Sequence, residues 1–454
     1  MIHQSRIPIH NGVGSLPGRP KLASLTLALI SAFSLQPPDL FGQGSLTPPG
    51  APAPTMKTLA QIEPRTPISS LPFIITNGGS YYLTTNLTGS GGGTNGITIT
   101  ANHVTLDLGG FVLSGIPGSG TAINVPALQT NLVIHNGTIR GWASGVFGNC
   151  VNGEFANLKV SDNSGGIQGG YGCVAVRCSF YNNSYGLQVS DGSTVKDCIG
   201  QSTGTAILAS DGCTVESCTA MGNGFVGISV GNGCTVKGCT AKANFPAGIK
   251  TGDGCTLESC TAMNNTSTGI VAGAGCTIKG CTAKSNLAAG IHANDGSTII
   301  GCTAAQNSAT GIEAGSTCTI NGCSAYFNGG VGISAEAAST ITGCTARVNA
   351  GDGILVASEA RVVDNSSSEN AIFGGPAAGI RVNGSNCRID GNLVAFNNPR
   401  GIYVVTTNGG NTIIRNVAGP QFNSTNNYAI APGNDLGPIG NTTNSTSPWA
   451  NISH

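Results

Sequence analysis

Charge is what this sequence has least of. Its 454 residues carry 20 Lys or Arg and 20 Asp or Glu, 9% of the chain, with a formal net charge of +0. No basic cluster exceeds two or three residues. That excludes nucleic acid as a partner, because phosphate binding needs a concentrated positive field. The same shortage removes the polybasic route to anionic membranes. Aromatics are scarce at 5%, and no segment sustains a helical period. An ordinary mixed globular enzyme therefore fits poorly. Disorder fits no better, since it couples high charge to low hydrophobicity and 39% of these residues are hydrophobic.

Long apolar runs are missing as well, with one exception. Leu22 to Leu35 follows Arg19 and Lys21 and precedes Gln-Pro-Pro. The run is short for a bilayer span, which takes about 20 residues, and suits the apolar core of a signal peptide. Residues 1–43 are thus expected to direct export, and no transmembrane segment is expected after their removal. Residues 44–67 are Pro-rich and read as an extended linker.

What the chain has in excess is glycine, cysteine and repetition: Gly 70, Cys 17, and a unit that recurs every 21 residues. Gly-Ile pairs fall at Gly227, Gly248, Gly269, Gly290, Gly311, Gly332 and Gly353. Looser turns extend upstream through Leu187 and Ile167 and downstream to Ile380 and Ile402, and residues 213–254 nearly repeat as 255–296. So short a period leaves no room for helical repeats, and the Leu framework of leucine-rich repeats is absent. Three short strands do fit, Cys213-Thr214-Val215, Cys218-Thr219-Ala220 and Gly227 to Val230, alternating apolar with Thr or Ser. If each strand pairs with its copy one turn later, the result is an all-β, single-stranded parallel β-helix. About 15 coils at roughly 4.8 Å each would build it.

Three columns follow from that stack. Asn163, Asn183, Asn223, Asn244, Asn265, Asn286, Asn307, Asn328, Asn349, Asn370 and Asn397 would turn inward at a bend. Lys196, Glu216, Lys237, Glu258 and Lys279 alternate in sign, as outward copies less than 5 Å apart require. Thr214, Thr219 and their equivalents suit an exposed sheet face. The cysteines recur as C-x4-C, for example 213/218, 234/239 and 255/260. Ser193, Ser297 and Ser339 replace the first member while Cys198, Cys302 and Cys344 remain, and Asn365, Asn392 and Asn416 later occupy the second column. That pattern favours stacked inward thiols over obligate disulfides, with some bridges within coils as the alternative. It leaves no room for a metal ion.

These features resemble the right-handed parallel β-helix, the pectin-lyase-like architecture. PRTPISSLPFIITNGGSYYLTTNLTG (64–89), HVTLDLGGFVLSG (103–115) and SPWANISH (447–454) resemble, more narrowly, a group of exported bacterial β-helix repeat proteins. The resemblance implies a helix over 68–420 and a polar cap or tail over 421–454. It also makes sugar cleavage the natural enzyme hypothesis. Polygalacturonase-like members carry Asn-Thr-Asp, Asp-Asp, Gly-His-Gly and Arg-Ile-Lys. Here Asp-Asp and Gly-His-Gly are missing, and Arg388-Ile389-Asp390 stands in place of the last. The Asp-Pro-His-Asp of alginate-epimerase-like members is missing too. A pectate-lyase-like calcium site would need clustered carboxylates, for which Asp191 and Asp211 are the nearest candidates. Both precede Gly and read first as turn residues.

His103, His135 and His292 lie in different coils beside no nucleophile motif. Chemistry-bearing side chains are densest between 100 and 200. Asp107, Glu154 and Asp162 are the candidate catalytic carboxylates there, and Trp142, Tyr171, Tyr181 and Tyr185 are candidates to stack sugar rings. The expected role is non-catalytic binding of polysaccharide or cell-envelope glycan, at the cell surface, in the periplasm or outside the cell. A polysaccharide lyase or glycosidase is the first alternative and a purely structural envelope rod the second. No cofactor is expected, calcium excepted if Asp191 and Asp211 hold it.

Overall fold

The computed structural model describes residues 64–371, 377–420 and 426–454. The expected signal peptide (1–43) and most of the linker (44–67) lie outside the described residues. Every regular element among the described residues is a strand, most of them three residues long. Strands pair in parallel, in register, with their equivalents one coil on: Ile207 with Ile228, Ile228 with Ile249, Ile249 with Ile270. One sheet holds 17 strands, and a second holds 34, two from most coils and one long strand from those at Val133–Arg140 and Glu154–Ser161. The count exceeds the expected 15, and the stack continues past 420, where Tyr428–Ile430, Asp435–Leu436 and Asn451–Ser453 pair onto the last coils.

Within a coil, three inward positions build the core. Val215, Ala220 and Ile228 are all fully buried, and so are their copies Val236, Ala241 and Ile249. The strands begin one residue later than the sequence suggests, at Thr214–Glu216 and Thr219–Met221. Cys213 and Cys218 therefore sit at the bends. A left-handed residue precedes each second-column cysteine, such as Ser217 at φ 53° or Gly238 at φ 59°. The left-handed residue still bonds a carbonyl of the next coil, as Ser217 does Lys237 O, but the N–H of the residue after it, Cys218, has no strand carbonyl and needs another partner.

Those partners are side chains of the neighbouring coil. From Asn223 to Asn397 each Asn donates Nδ2 to the Oδ1 of the next, at 2.7 to 3.1 Å. The same Oδ1 accepts the preceding Asn's backbone N–H, as Asn286 does from Asn265 at 3.1 Å. The cysteines work alike. Cys255 Sγ accepts the N–H of Cys234 at 3.3 Å and donates to Gly231 O at 3.1 Å. Ser297 takes the same place for Cys276, and Asn365 serves Cys344 with its amide. All 17 cysteines are free and buried. Thiol, hydroxyl and amide interchange because each both donates and accepts.

Outward positions carry far less. Lys196–Glu216 and Lys237–Glu258 pair at 3.2 and 3.4 Å with half-exposed side chains. Such pairs are each worth about 0–1 kcal/mol.

Two expected outcomes test this division. Asn286→Ala strips two N–H groups of their acceptor and should cost about 2–4 kcal/mol in urea unfolding, whereas Lys237→Ala should cost under about 1 kcal/mol. At Cys255, Ser should be nearly neutral while Val, which cannot accept the Cys234 N–H, should cost about 1–3 kcal/mol.

Candidate functional site

The regular coil breaks between 117 and 170. Thr121–Thr130, Val133–Arg140, Ser144–Val151 and Glu154–Ser161 are strands of eight to ten residues, and their coils enclose larger side chains. Trp142 is one of these. It is 2% exposed, and its indole N–H donates to Leu113 O at 3.1 Å. Gly89, Gly96 and Gly115 pack against its ring so closely that a Cβ on any of them would come within about 3 Å of it. The expectation that Trp142 stacks a sugar is corrected: three glycines make room for it in the core.

The tyrosines remain outside but do not form a line. Tyr171 is 55% exposed and bridges Val151, and Tyr181 is 52% exposed in the outward row Ser161–Tyr181–Gln201. Tyr185 lies half-buried over Gly165, on the other sheet.

The three carboxylates are also dispersed. Asp107 accepts Arg65 Nη1 at 3.1 Å and the Gly109 N–H at 2.9 Å, with His135 Nδ1 at 3.8 Å. Asn136, Asn157 and Arg177 continue a hydrogen-bonded surface ladder from it. Glu154 is exposed at the start of its strand, in register with Val133 and Val174. Asp162 occupies a left-handed bend at the far end of that strand, at φ 57°, and accepts Asn182 Nδ2 at 2.9 Å.

Only Asp162 borders a sizeable depression. An open trough of about 410 Å³ is lined by Asp162, Asn163, Ser164, Asn182, Asn183 and Ser184. A second, of about 310 Å³, adjoins it at Asp162 and Ser164 and reaches Ile116 and Ser119. Asp162 is the sole carboxylate in either lining.

The calcium candidates serve the backbone. Asp191 Oδ1 accepts the Asp211 N–H at 3.2 Å, and Asp211 Oδ1 accepts the Asn232 N–H at 2.7 Å. Asp253 and Asp295 repeat the pattern. Among the described residues no group of three His, Cys, Asp or Glu is placed to hold a metal ion. His103 contacts Asn131, and His292 lies 3.1 Å from Glu313.

Two family models match. One, described as right handed beta helix region, covers residues 271–418; the other, described as periplasmic copper-binding protein (NosD), covers 171–300. The chain is a right-handed parallel β-helix repeat protein. No curated protein matches it. Similar solved structures include the A-module of a mannuronan C-5 epimerase from Azotobacter vinelandii, 12% identical, TM-score 0.37, with 80% of this chain and 91% of that one covered. A periplasmic alginate epimerase is 11% identical, TM-score 0.41, with 69% and 77% covered. A pectate lyase is 18% identical, TM-score 0.29, with 73% and 75% covered.

One polar cluster of the β-helix escapes sequence reading. Near the C-terminal end, Arg381 and Arg400 flank Tyr403, with guanidinium carbons 5.8 and 4.3 Å from its ring centre. Asp352 lies below, 6% exposed, accepting the Ala378 N–H at 2.6 Å, with Arg381 Nη1 at 3.8 Å. The available signal was the lengthened step between Ile354 and Ile380, where the 21-residue period fails.

Burial pushes the Asp352 carboxyl up to about 6, against the pull of the Ala378 N–H and Arg381. The folded chain therefore binds this proton more tightly than the unfolded chain, whose Asp titrates near 3.9. Its stability contribution is complete below about pH 4 and is lost as pH rises through about 6. Asp352→Asn should remove about 2–3 kcal/mol of the stability difference between pH 4 and pH 8, measured by urea unfolding.

Proposed function

We propose that this β-helix binds polysaccharide on its outer surface without cleaving it, at the trough around Asp162. The trough itself carries the reading. It is open and lined by amide, hydroxyl and carboxylate groups suited to sugar hydroxyls, and exposed Tyr181 stands directly beside Asn182. Hydrolysis by the usual route takes two carboxylates flanking one bond, about 5–9.5 Å apart. Asp162 faces Asn and Ser side chains instead, and Asp107 is already engaged by Arg65, Gly109 and Asn136.

Export to the periplasm or beyond belongs to the same reading. Its support is the apolar run Leu22 to Leu35 behind Arg19 and Lys21, and the match to a family described as periplasmic. The boundaries read from sequence, with a signal peptide at 1–43 and a linker over 44–67, are part of this proposal.

A glycan array followed by reducing-end and unsaturated-product assays on the hits tests it. Tyr181→Ala and Asp162→Ala should each weaken binding about tenfold, or roughly 1.4 kcal/mol, with no product formed by the wild type. Product that disappears in Asp107→Asn, Glu154→Gln or Asp162→Asn would make the protein an enzyme and overturn the proposal. An array without any hit would leave the structural rod in its place.

A further inference from the structure

Cys150 differs from the other sixteen cysteines. The rest occupy bends in two registered columns, where stacked Cβ atoms lie near the strand spacing of about 4.8 Å, too far for a relaxed bridge. Cys150 lies instead near the end of the strand Ser144–Val151, in the opposite sheet. Cys150 points inward in turn with Val146 and Gly148, and its pairing with Thr121–Thr130 changes register between Gly148 and Cys150. Its thiol points across the coil to the first member of the first column, and Cys150 Sγ lies 3.3 Å from Cys173 Sγ.

The surroundings are cut to hold this pair. Gly153 stands in the first column one coil before Cys173, in the place a side chain would take. A Cβ there would lie 2.7 Å from Cys150 Sγ and 3.4 Å from Cys173 Sγ. Gly169 and Gly148 approach the same two sulfurs, and a Cβ on Gly170 would strike Cys150 O at 2.0 Å. Four glycines thus leave a notch filled by two sulfur atoms. Neither is more than 1% exposed.

We propose that Cys150 and Cys173 form a disulfide while the chain folds, and that it is a bridge between neighbouring coils rather than within one. Closing it brings the sulfurs from 3.3 Å to about 2.05 Å, a movement within reach of side-chain rotation. The oxidant is a dithiol-derived or glutathione-type disulfide. The Cys150 thiolate attacks one sulfur of that disulfide and expels the other as a thiolate. Cys173 then gives up its proton and displaces the second thiolate from the mixed disulfide. Two protein thiols become one disulfide, and the oxidant's disulfide becomes two thiols. Burial of both sulfurs places the exchange before the coil closes. The bridge would pin Cys150 next to the turn that carries exposed Tyr171, whose neighbour on the preceding coil is Val151.

The exported location enters only as the source of oxidant, and the purified chain tests the inference without it. Refolding the reduced, denatured protein in a glutathione–glutathione disulfide buffer, alkylating in denaturant and mapping peptides by mass should reveal one linkage. It should join the peptides of Cys150 and Cys173 at 2 Da below their summed reduced mass, with every other cysteine alkylated. The oxidised wild type should show a higher urea midpoint than the reduced form. Cys150→Ser and Cys173→Ser should abolish that shift, and Cys234→Ser should keep it. Complete alkylation of all cysteines after oxidative refolding, or a linkage between column cysteines such as Cys213 and Cys234, overturns the proposal.

Discussion

Everything in this molecule depends on the bend N–H that the strand ladder cannot satisfy. A parallel coil of three-residue strands turns so often that a large share of its backbone lies at corners, out of reach of water. A buried unpaired amide costs about 1–3 kcal/mol, and the error would recur on every coil. The side chain one coil on is the nearest source of an acceptor, and it must be short, inward and able to donate in its turn. Asn, Ser and Cys meet those terms, which is why Asn286, Ser297 and Cys302 stand at equivalent corners doing the same work. The corner, not the residue count, is what is kept: the same bond joins Asn265 to Asn286 across 21 residues, Thr203 to Asn223 across 20, Asn392 to Asn416 across 24 and Asn370 to Asn397 across 27.

The choice among the three residues follows from what else the corner must do. Cysteine has the weakest hydrogen bond and the largest apolar share, so it suits corners next to Val215 or Ile278, where packing matters as much as bonding. Asparagine suits corners that must bond twice on each side, as Asn392 does, accepting from the N–H and Nδ2 of Asn365 and donating its own N–H and Nδ2 to Asn416 Oδ1. The change from Cys344 to Asn365, Asn392 and Asn416 along one column exchanges apolar contact for bonding as the coils near their end. Thr203 shows the limit. It replaces an Asn yet still donates its hydroxyl to Asn223 Oδ1 at 2.8 Å, so the ladder restarts there.

This explains how far the sequence could be read. Period, columns and strand direction were legible because a registered stack writes each structural role once per coil, and repetition averages out local ambiguity. The corner role of the cysteines was only half legible. Composition and spacing made them inward and small, but the strands begin at Thr214 and Thr219, and that one-residue offset turns a filler into a hydrogen-bonding group. Where the repeat lapses, no averaging remains. Trp142 looked like a surface aromatic because nothing in its own segment shows that Gly89, Gly96 and Gly115, on other coils, vacate the space for its ring. Arg381, Arg400 and Tyr403 meet only because coils past an irregular step bring them together.

The candidate site lies where it does for a related reason. On the regular coils an outward residue has an equivalent above and below it, so the surface repeats, and the depression at Ser334, Leu355 and Asn383 is smaller, about 230 Å³. The wide coils around 117–170 break that symmetry from inside. Trp142, Phe155 and Phe180 are buried there, and the separation of stacked residues falls from 26 at Ile97–Ile123 to 23 at Ile123–Val146, 21 at Val146–Ile167 and 20 at Ile167–Leu187. The two adjoining depressions meet at Asp162, on the left-handed corner between the last wide strand and the regular stack. The register shift beside Cys150 belongs to the same transition: Val125 to Gln129 takes four steps where Gly148 to Cys150 takes two, so the separation of paired residues drops from 23 to 21. Trough, exposed tyrosines and paired thiols therefore lie within a few coils of each other, where the coil length changes.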